Sequence, residues 1–323
     1  MTRVTSAWKR LDSLRGQAVL IMGASALGAC LPGVGASEYV LHVATLVLIY
    51  VPLSIGQTLI TGDTGQVAMG QVAYFGIGAY AAAILSVNHG FAFVPIMAIS
   101  VGAGAVAGLL TGLPAIRISG DYLFIVTIGL NLMFDEVLVN WSSVTGSVSG
   151  IPGLPLPSVG KVVFGPGAGL YLLALVLAAA CLLVYAAITR SWFGRRMHAV
   201  LDDELAAKAV GLNPTSGKLV AFIVACAMSS AAGVVFAYFT GFVGPDAFPF
   251  TQSLLIFEMA ILGGLGSGWG AVLGAAILVA IPQVFLPLYP ISVGLGGIAI
   301  VAIMIFRPSG IMGRQSVTTL IRK

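Results

Sequence analysis

Groups able to do chemistry are scarce in this chain and widely spaced. His42, His89 and His198 fall at no spacing that would converge on a metal or complete a triad, and no nucleophile stands beside a base. Cys30, Cys181 and Cys226 lie inside apolar runs, with neither zinc-type spacing nor a disulfide framework, so they read as small core hydrophobes. No metal, no cofactor and no catalytic residue is expected. Two glycine-rich stretches imitate nucleotide loops. Gly211 to Lys218 has five residues between its glycines where a phosphate loop has four, and Leu219 stands where a hydroxyl would hold magnesium. Gly264-Leu265-Gly266-Ser267-Gly268-Trp269-Gly270 follows no strand and lies between two apolar runs, as a turn or broken helix would.

What remains is a handful of polar groups in apolar surroundings. Asp135, Glu136 and Glu258 sit within long apolar runs, and Asn131 shares a helical face with Asp135 one turn away. The stretch Gly62-Asp63-Thr64-Gly65-Gln66-Val67-Ala68-Met69-Gly70-Gln71 is too polar and glycine-rich to open an ordinary apolar helix. The densest acidic cluster is Asp202-Asp203-Glu204. It begins a short helix over 202–210: its acids suit the positive N-terminal end of the helix dipole, Lys208 the other end, and Gly211 and Pro214 stop it. Leu201, Leu205 and Leu212 give that helix an apolar stripe. So short a helix is marginal alone in water and must be held by this chain or by a partner.

The elements that position these groups follow from composition. Of 323 residues, 59% are hydrophobic and 8% charged, with a mean hydropathy of +1.05. A soluble domain carries roughly 25% charged residues. The chain is therefore read as an all-α integral membrane protein. A hydrocarbon core of ~30 Å needs about 20 apolar residues per helix. Ten runs qualify: 17–35, 39–60, 67–87, 91–113, 122–141, 169–189, 218–239, 251–265, 270–288 and 290–306. The eighth is short, and Pro287 and Pro290 blur the last boundary. The first run follows Arg3, Lys9, Arg10 and Arg15 and reads as a retained span rather than a cleaved leader.

Orientation follows from the basic residues, which accumulate on the cytoplasmic side. With the N-terminus inside and ten alternating spans, fourteen Lys and Arg fall inside and Lys161 alone falls outside. Residues 1–16 then form a cytoplasmic segment, 17–306 a transmembrane domain with a cytoplasmic loop at 190–217, and 307–323 a cytoplasmic tail. Ten spans divide into two halves of five, which forces the second half into the opposite orientation, the inverted-repeat design of many transporters. The third and eighth spans would correspond, each preceded by a stretch containing Gly and Asp: 62–66 and 241–246.

Two readings of Gly65, Gln66, Gly70 and Gln71 stay open: a broken helix lining a pathway, or a cytoplasmic loop leading into a small-residue helix interface. An acid at the bilayer centre costs on the order of 2.5–3.5 kcal/mol. Glu258 therefore faces a pathway, a partner subunit or a hydrogen-bond partner. For Asp135 and Glu136 a wet vestibule near the outer end serves as well as a binding site. The outer loop from Ser142 to Ala168, rich in Gly, Pro and Ser, reads as a surface for an extracytoplasmic partner or as a solvated loop.

Four ordered stretches carry a family resemblance. They are Gly65 to Tyr80; Arg117-Ile118-Ser119-Gly120-Asp121-Tyr122 running on to Asn140-Trp141 and Thr145-Gly146; Ser191 to Gly211; and Gly241 to Gly274. In that order they resemble the permease subunits of branched-chain amino acid ABC importers, LivM type. The resemblance implies a subunit of the bacterial inner membrane with cytoplasmic termini. Its partners would be a second homologous permease, two ABC ATPase subunits and a periplasmic substrate-binding protein, with a lipid bilayer around it and no nucleic acid. It also implies that Glu204, Ala206, Ala207 and Gly211 form the Glu-x-Ala-Ala-xxx-Gly pattern that docks into an ATPase, beside Asp202 and Asp203. The fifth span departs from the pattern, with Leu132 and Asp135 where many relatives carry an acid and then a base. The family's other solutes, urea, short amides and aromatic acids, therefore stand beside branched-chain amino acids. An ion-coupled secondary transporter is the competing class, opposed by the scarcity of ionisable groups within the spans.

Overall fold

The computed structural model describes residues 14–30, 32, 37–117, 121–160, 162–284 and 310–313. The helices in order are α1 (Leu14–Ala29), α2 (Glu38–Thr64), α3 (Gln71–Val87), α4 (Phe93–Arg117), α5 (Asp121–Asn140) and α6 (Ser142–Thr145). After them come α7 (Ala168–Arg190), α8 (Trp192–Asp202), α9 (Glu204–Ala209), α10 (Pro214–Thr240), α11 (Phe250–Gly263) and α12 (Gly268–Val284). Five are long and apolar enough to cross a membrane: α2, α4 from Phe93 to Ala115, α5 from Tyr122, α7 and α10. The shorter α3 and α12 are apolar as well.

These helices fall on the first nine expected runs, with shifted ends. The second run extends to Thr64, so Gly62-Asp63-Thr64 is the last turn of α2 and not a loop. Gly65, at φ 71°, closes that helix in the left-handed conformation, and α3 starts only at Gln71, not at residue 67. The seventh run starts earlier than expected, because Pro214 occupies the first turn of α10 and the Asn213 side chain caps it, accepting from Thr215 N at 2.9 Å. The expected tenth span, the Pro287–Pro290 boundary, residues 1–13 and most of the tail lie outside the described residues. Cys181 and Cys226 are buried as expected, but Cys30, just past the end of α1, is exposed.

α10 is the hub of the bundle. Lipid is as apolar as leucine, so helices in it associate chiefly by close packing, and small residues permit that approach. On α4, Gly104, Gly108 and Gly112 recur every fourth residue and lie against Ser230, Cys226 and Phe222 of α10. On α3, a methyl group at Gly78 would overlap the Ser230 carbonyl; in return, one at Gly233 would overlap the Phe75 carbonyl. Gly56 of α2 abuts Ala225. Beside these contacts the rings of Phe75, Phe236 and Phe248 fill the core, with Phe75 centred 5.0 Å from Phe236 and 5.5 Å from Phe248. A second small-residue seam joins α11 to α12 through Gly263, Gly270 and Gly274.

The contacts sort the connections onto two ends of the bundle. At one end, Gly62 of α2 abuts Gly266 of the α11–α12 turn, and Ile311 N donates to Leu262 O at 3.0 Å. The α8–α9 segment lies at this same end. At the other, Tyr171 donates to Gly28 O at 3.0 Å, and Tyr39 of α2 donates to Gln283 O of α12. There β1 (Ile151–Pro152) pairs antiparallel with β4 (Phe242–Val243), which follows α10. The 142–168 loop is thus tied to the bundle. It holds α6, a 3-10 turn and the β2–β3 hairpin (Ser158–Val159 with Val162–Val163). Gly150, at φ 61° and ψ −167°, allows the β1–β4 contact, since a side chain there would meet Val243 O at 2.5 Å.

The small-residue seam makes a contrast to test. Gly78→Leu should destabilise by about 3 kcal/mol or more, because the obstacle is backbone that cannot yield. Gly102→Leu, on α4 with open space around it, should cost less than about 1 kcal/mol. Melting of both variants in detergent micelles reads the difference, and equal melting points would contradict the packing described.

Candidate functional site

The α8–α9 segment is built from local signals. Ser191 ends α7 and caps α8, its hydroxyl accepting from Phe193 N at 3.2 Å and Gly194 N at 3.3 Å. α8 is amphipathic, with Gly194, Met197 and Val200 buried beneath it. The Arg196 guanidinium lies 3.2 Å over the Trp192 ring, a cation–π contact on its outer side. The single helix expected over 202–210 is two helices meeting at Asp203. Asp203 turns extended, and its Oδ1 accepts from Leu205 N and Ala206 N, both at 2.9 Å. A short acidic side chain competes with the helical backbone in this way, so it caps α9 instead of continuing α8. Asp202 therefore ends α8 and does not open α9. Gly211, at φ 79°, closes the segment, with its N–H on Lys208 O and Leu212 N on Ala207 O.

α9 is clasped on one side and bare on the other. Glu204 bonds Lys208 and, at the start of α10, Lys218, both at 2.9 Å. The hydrogen bonds from Lys218 and Lys208 hold its carboxyl below the ordinary carboxylate range. Ala207 is buried. Of the expected apolar stripe, Leu201 and Leu205 are exposed, Leu205 at 79%, and Leu212 is half-buried; Ala206, Ala209 and Val210 are exposed as well. Glu204 spends its charge within the chain, so it is the apolar face of α9 that is left open.

A second contact ties α8 to the bundle. His198 Nε2 lies 2.8 Å from Asp63 Oδ1 in the last turn of α2. Asp63, Arg190, Arg195, His198, Ser267 and Trp269 are among the groups lining a cavity of about 570 Å³ at this end. Neither Asp63 nor Lys218 was expected in this role. In the sequence Asp63 stood out only as part of a stretch containing Gly and Asp, and Lys218 only as one of the basic residues counted for orientation.

The expected pathway residues divide. Residues 65–70 are non-helical yet largely buried, and several polar groups there find partners inside the bundle. Gln57 Nε2 donates to Ala68 O at 2.8 Å, and Gln66 Nε2 donates to Ala115 O at 3.2 Å. Met69 N donates to Thr127 Oγ1 at 2.9 Å, and Gln71 Oε1 accepts from Ser229. Gly70 packs on Thr127 and Tyr74, and Gly65 lies against Leu201 of α8. The stretch is a break between α2 and α3, followed by a small-residue interface with α10. Asn131 is buried one turn beyond Thr127 on α5, which joins it to this neighbourhood. Asp135, a turn further, is half-buried and within electrostatic range of Tyr80 and Asp246. Glu136 is exposed and accepts from Asn140 Nδ2 at 2.6 Å. Glu258 is half-buried on α11, apart from these contacts.

Two outcomes follow for α9. Asp203→Ala removes a cap worth about 1 kcal/mol and should speed amide exchange at 204–209 without lowering the melting point of the bundle. The contribution of Glu204 is complete above the ordinary carboxylate value of about 4.3 and is lost as pH falls through its lowered value. Exchange at 204–211 should thus rise on acidification below about pH 4 and stay flat from about pH 5 to 7. A rise already near neutrality would contradict the Lys218–Glu204 clasp.

Comparison with known proteins finds the family model described as branched-chain amino acid transport system / permease component across residues 39–307. The high-affinity branched-chain amino acid transport system permease protein LivM of Escherichia coli strain K12 is 32% identical over 299 residues, covering 85% of this chain and 70% of its own. The permease protein BraD of Pseudomonas aeruginosa is 27% identical, covering 83% and 92%. The permease protein LivH of Escherichia coli strain K12 is 31% identical over 133 residues, 40% of this chain and 42% of its own. No solved structure matches the chain.

Proposed function

The chain belongs to the branched-chain amino acid transport system permease family, and from that premise we propose that it is the membrane subunit of an ATP-driven importer for branched-chain amino acids. It pairs with a second, homologous permease in the bacterial inner membrane, takes solute from a periplasmic binding protein and releases it to the cytoplasm. ATP is hydrolysed by two partner subunits and not by this chain. The observation that carries the reading is α9: a capped, clasped helix that presents Leu205 and Val210 outward at one end of the bundle. Exposed apolar groups on so short a helix suit a partner that covers them.

The end that bears α9 is the cytoplasmic one in this reading, with both termini on that side. Ten spans arranged as an inverted repeat of five and five complete it. Supporting the repeat, α2 and α10 each have 27 residues, end in a left-handed glycine (Gly65 and Gly241), and lead through non-helical chain into a shorter helix, α3 or α11. α4 packs on α10, and its counterpart α12 packs on α2. Supporting the tenth span, Gln283 lies at the outer end, whereas Gly310 abuts Gly264 at the inner end.

The importer reconstituted in vesicles should take up labelled leucine only with ATP. Leu205→Glu should release the ATPase subunits and cut uptake at least about tenfold, the loss expected when a charge enters an apolar interface. Uptake by the chain alone, or undiminished uptake by the variant, would overturn the proposal. A membrane-impermeant thiol reagent, applied from outside to sealed cells, should label Leu156→Cys and spare Ser267→Cys. The reverse pattern would refute the orientation.

A further inference from the structure

An acid in the last turn of a helix opposes the negative end of the dipole, and burying it adds a desolvation cost. Asp63 does both. It is 1% exposed at the C-terminal end of α2, and its Oδ2 has no hydrogen-bond partner among the described residues. Its Oδ1 receives His198 Nε2 at 2.8 Å, from a side chain itself only 18% exposed and 135 residues away in sequence. Next to this pair, Leu201 of α8 presses on Gly65, where a side chain would meet its Cδ1 at 2.8 Å. α8 is therefore seated directly on the end of α2.

The α8–α9 segment thus has two polar attachments, one to each of two long helices that pack on each other. Glu204–Lys218 joins it to α10 through a carboxylate that is 41% exposed; Asp63–His198 joins it to α2 through one that is 1% exposed, the Lys218 and His198 side chains being covered to a similar degree. An exposed carboxylate exchanges its partner for water at little cost. A buried one cannot part from its partner without being left uncompensated, so it holds its two elements in fixed relation.

We infer that the Asp63–His198 contact is the link through which displacement of the α8–α9 segment is transmitted to α2. These are positioning residues, not solute ligands. Nε2 carries the proton, and the carboxylate accepts it whether the imidazole is neutral or charged. The link converts movement of the ATPase-facing surface into movement of the end of α2 that leads directly into the broken stretch at 65–70. This rests on the reading of α9 as the ATPase-docking surface.

The test uses the assembled importer in vesicles and measures uptake and ATP hydrolysis together. His198→Ala should leave hydrolysis within about twofold while lowering solute moved per ATP at least about fivefold. His198→Gln, whose amide can still donate to Asp63, should retain more than about half of the native ratio. A merely structural role would lower both activities together and would not be rescued by Gln. In a second measurement, Cys30, Cys181 and Cys226 are replaced by Ala, Asp63→Cys and His198→Cys are introduced, and the two thiols are joined by a short bis-maleimide. The joined importer should keep transporting, because the link is intact throughout the cycle. A native transport ratio in His198→Ala, or arrest on joining, would overturn the inference, and the joined form decides if His198→Ala does not assemble. Full activity of Leu205→Glu would instead defeat the docking reading. The two failures are thereby separable.

Discussion

The structure depends on backbones approaching one another closely around α10. In lipid no gain from burying apolar surface draws helices together, so contact area and the absence of intervening side chains must do so. Glycines on α2, α3 and α4 meet Ala225, Ser230, Cys226 and Phe222 of α10, while Gly233 of α10 receives Phe75. Four helices are locked to each other by groups too small to be replaced. The aromatic cluster of Phe75, Phe236 and Phe248 then fills what the glycines leave open.

That rigid centre allows a departure from helix elsewhere. Residues 65–70 break the chain between α2 and α3 inside the bundle, where unpaired backbone would be costly. Gln57 of α2 and Thr127 of α5 pair with its backbone, and its own Gln66 side chain donates to Ala115 O of α4. Each of these side chains is useful only because the small-residue contacts hold its helix in place. At one end of the bundle, α8 and α9 are anchored to α2 and α10 by Asp63–His198 and Lys218–Glu204. The broken stretch and the α8–α9 segment thus meet at the C-terminal end of α2, where Asp63 and Gly65 touch α8.

Membrane residence, nine of the helices and the short inner helix were legible from the residues alone. Each rests on a local property. Hydropathy is summed over neighbours, and Asp203, Gly211 and Pro214 act on backbone a few residues away. The site was legible to the same extent. The pattern Glu204, Ala206, Ala207, Gly211 marked the segment, yet it hid that Asp203 splits it and that Leu205 faces outward. Local preference could not say whether the acid or the helix would win at Asp203, nor which face the bundle would take.

Tertiary structure alone decided everything that joins distant residues. Asp63 pairs with His198, Gln66 finds the Ala115 carbonyl, and Ile151 pairs with Val243 at the opposite end of the bundle. Composition and spacing dictated that the chain enters lipid as helices, because every backbone group there must be satisfied within its own segment. They did not dictate which helices touch. That follows from which faces carry glycine opposite a carbonyl, and such a match exists only between two segments already folded.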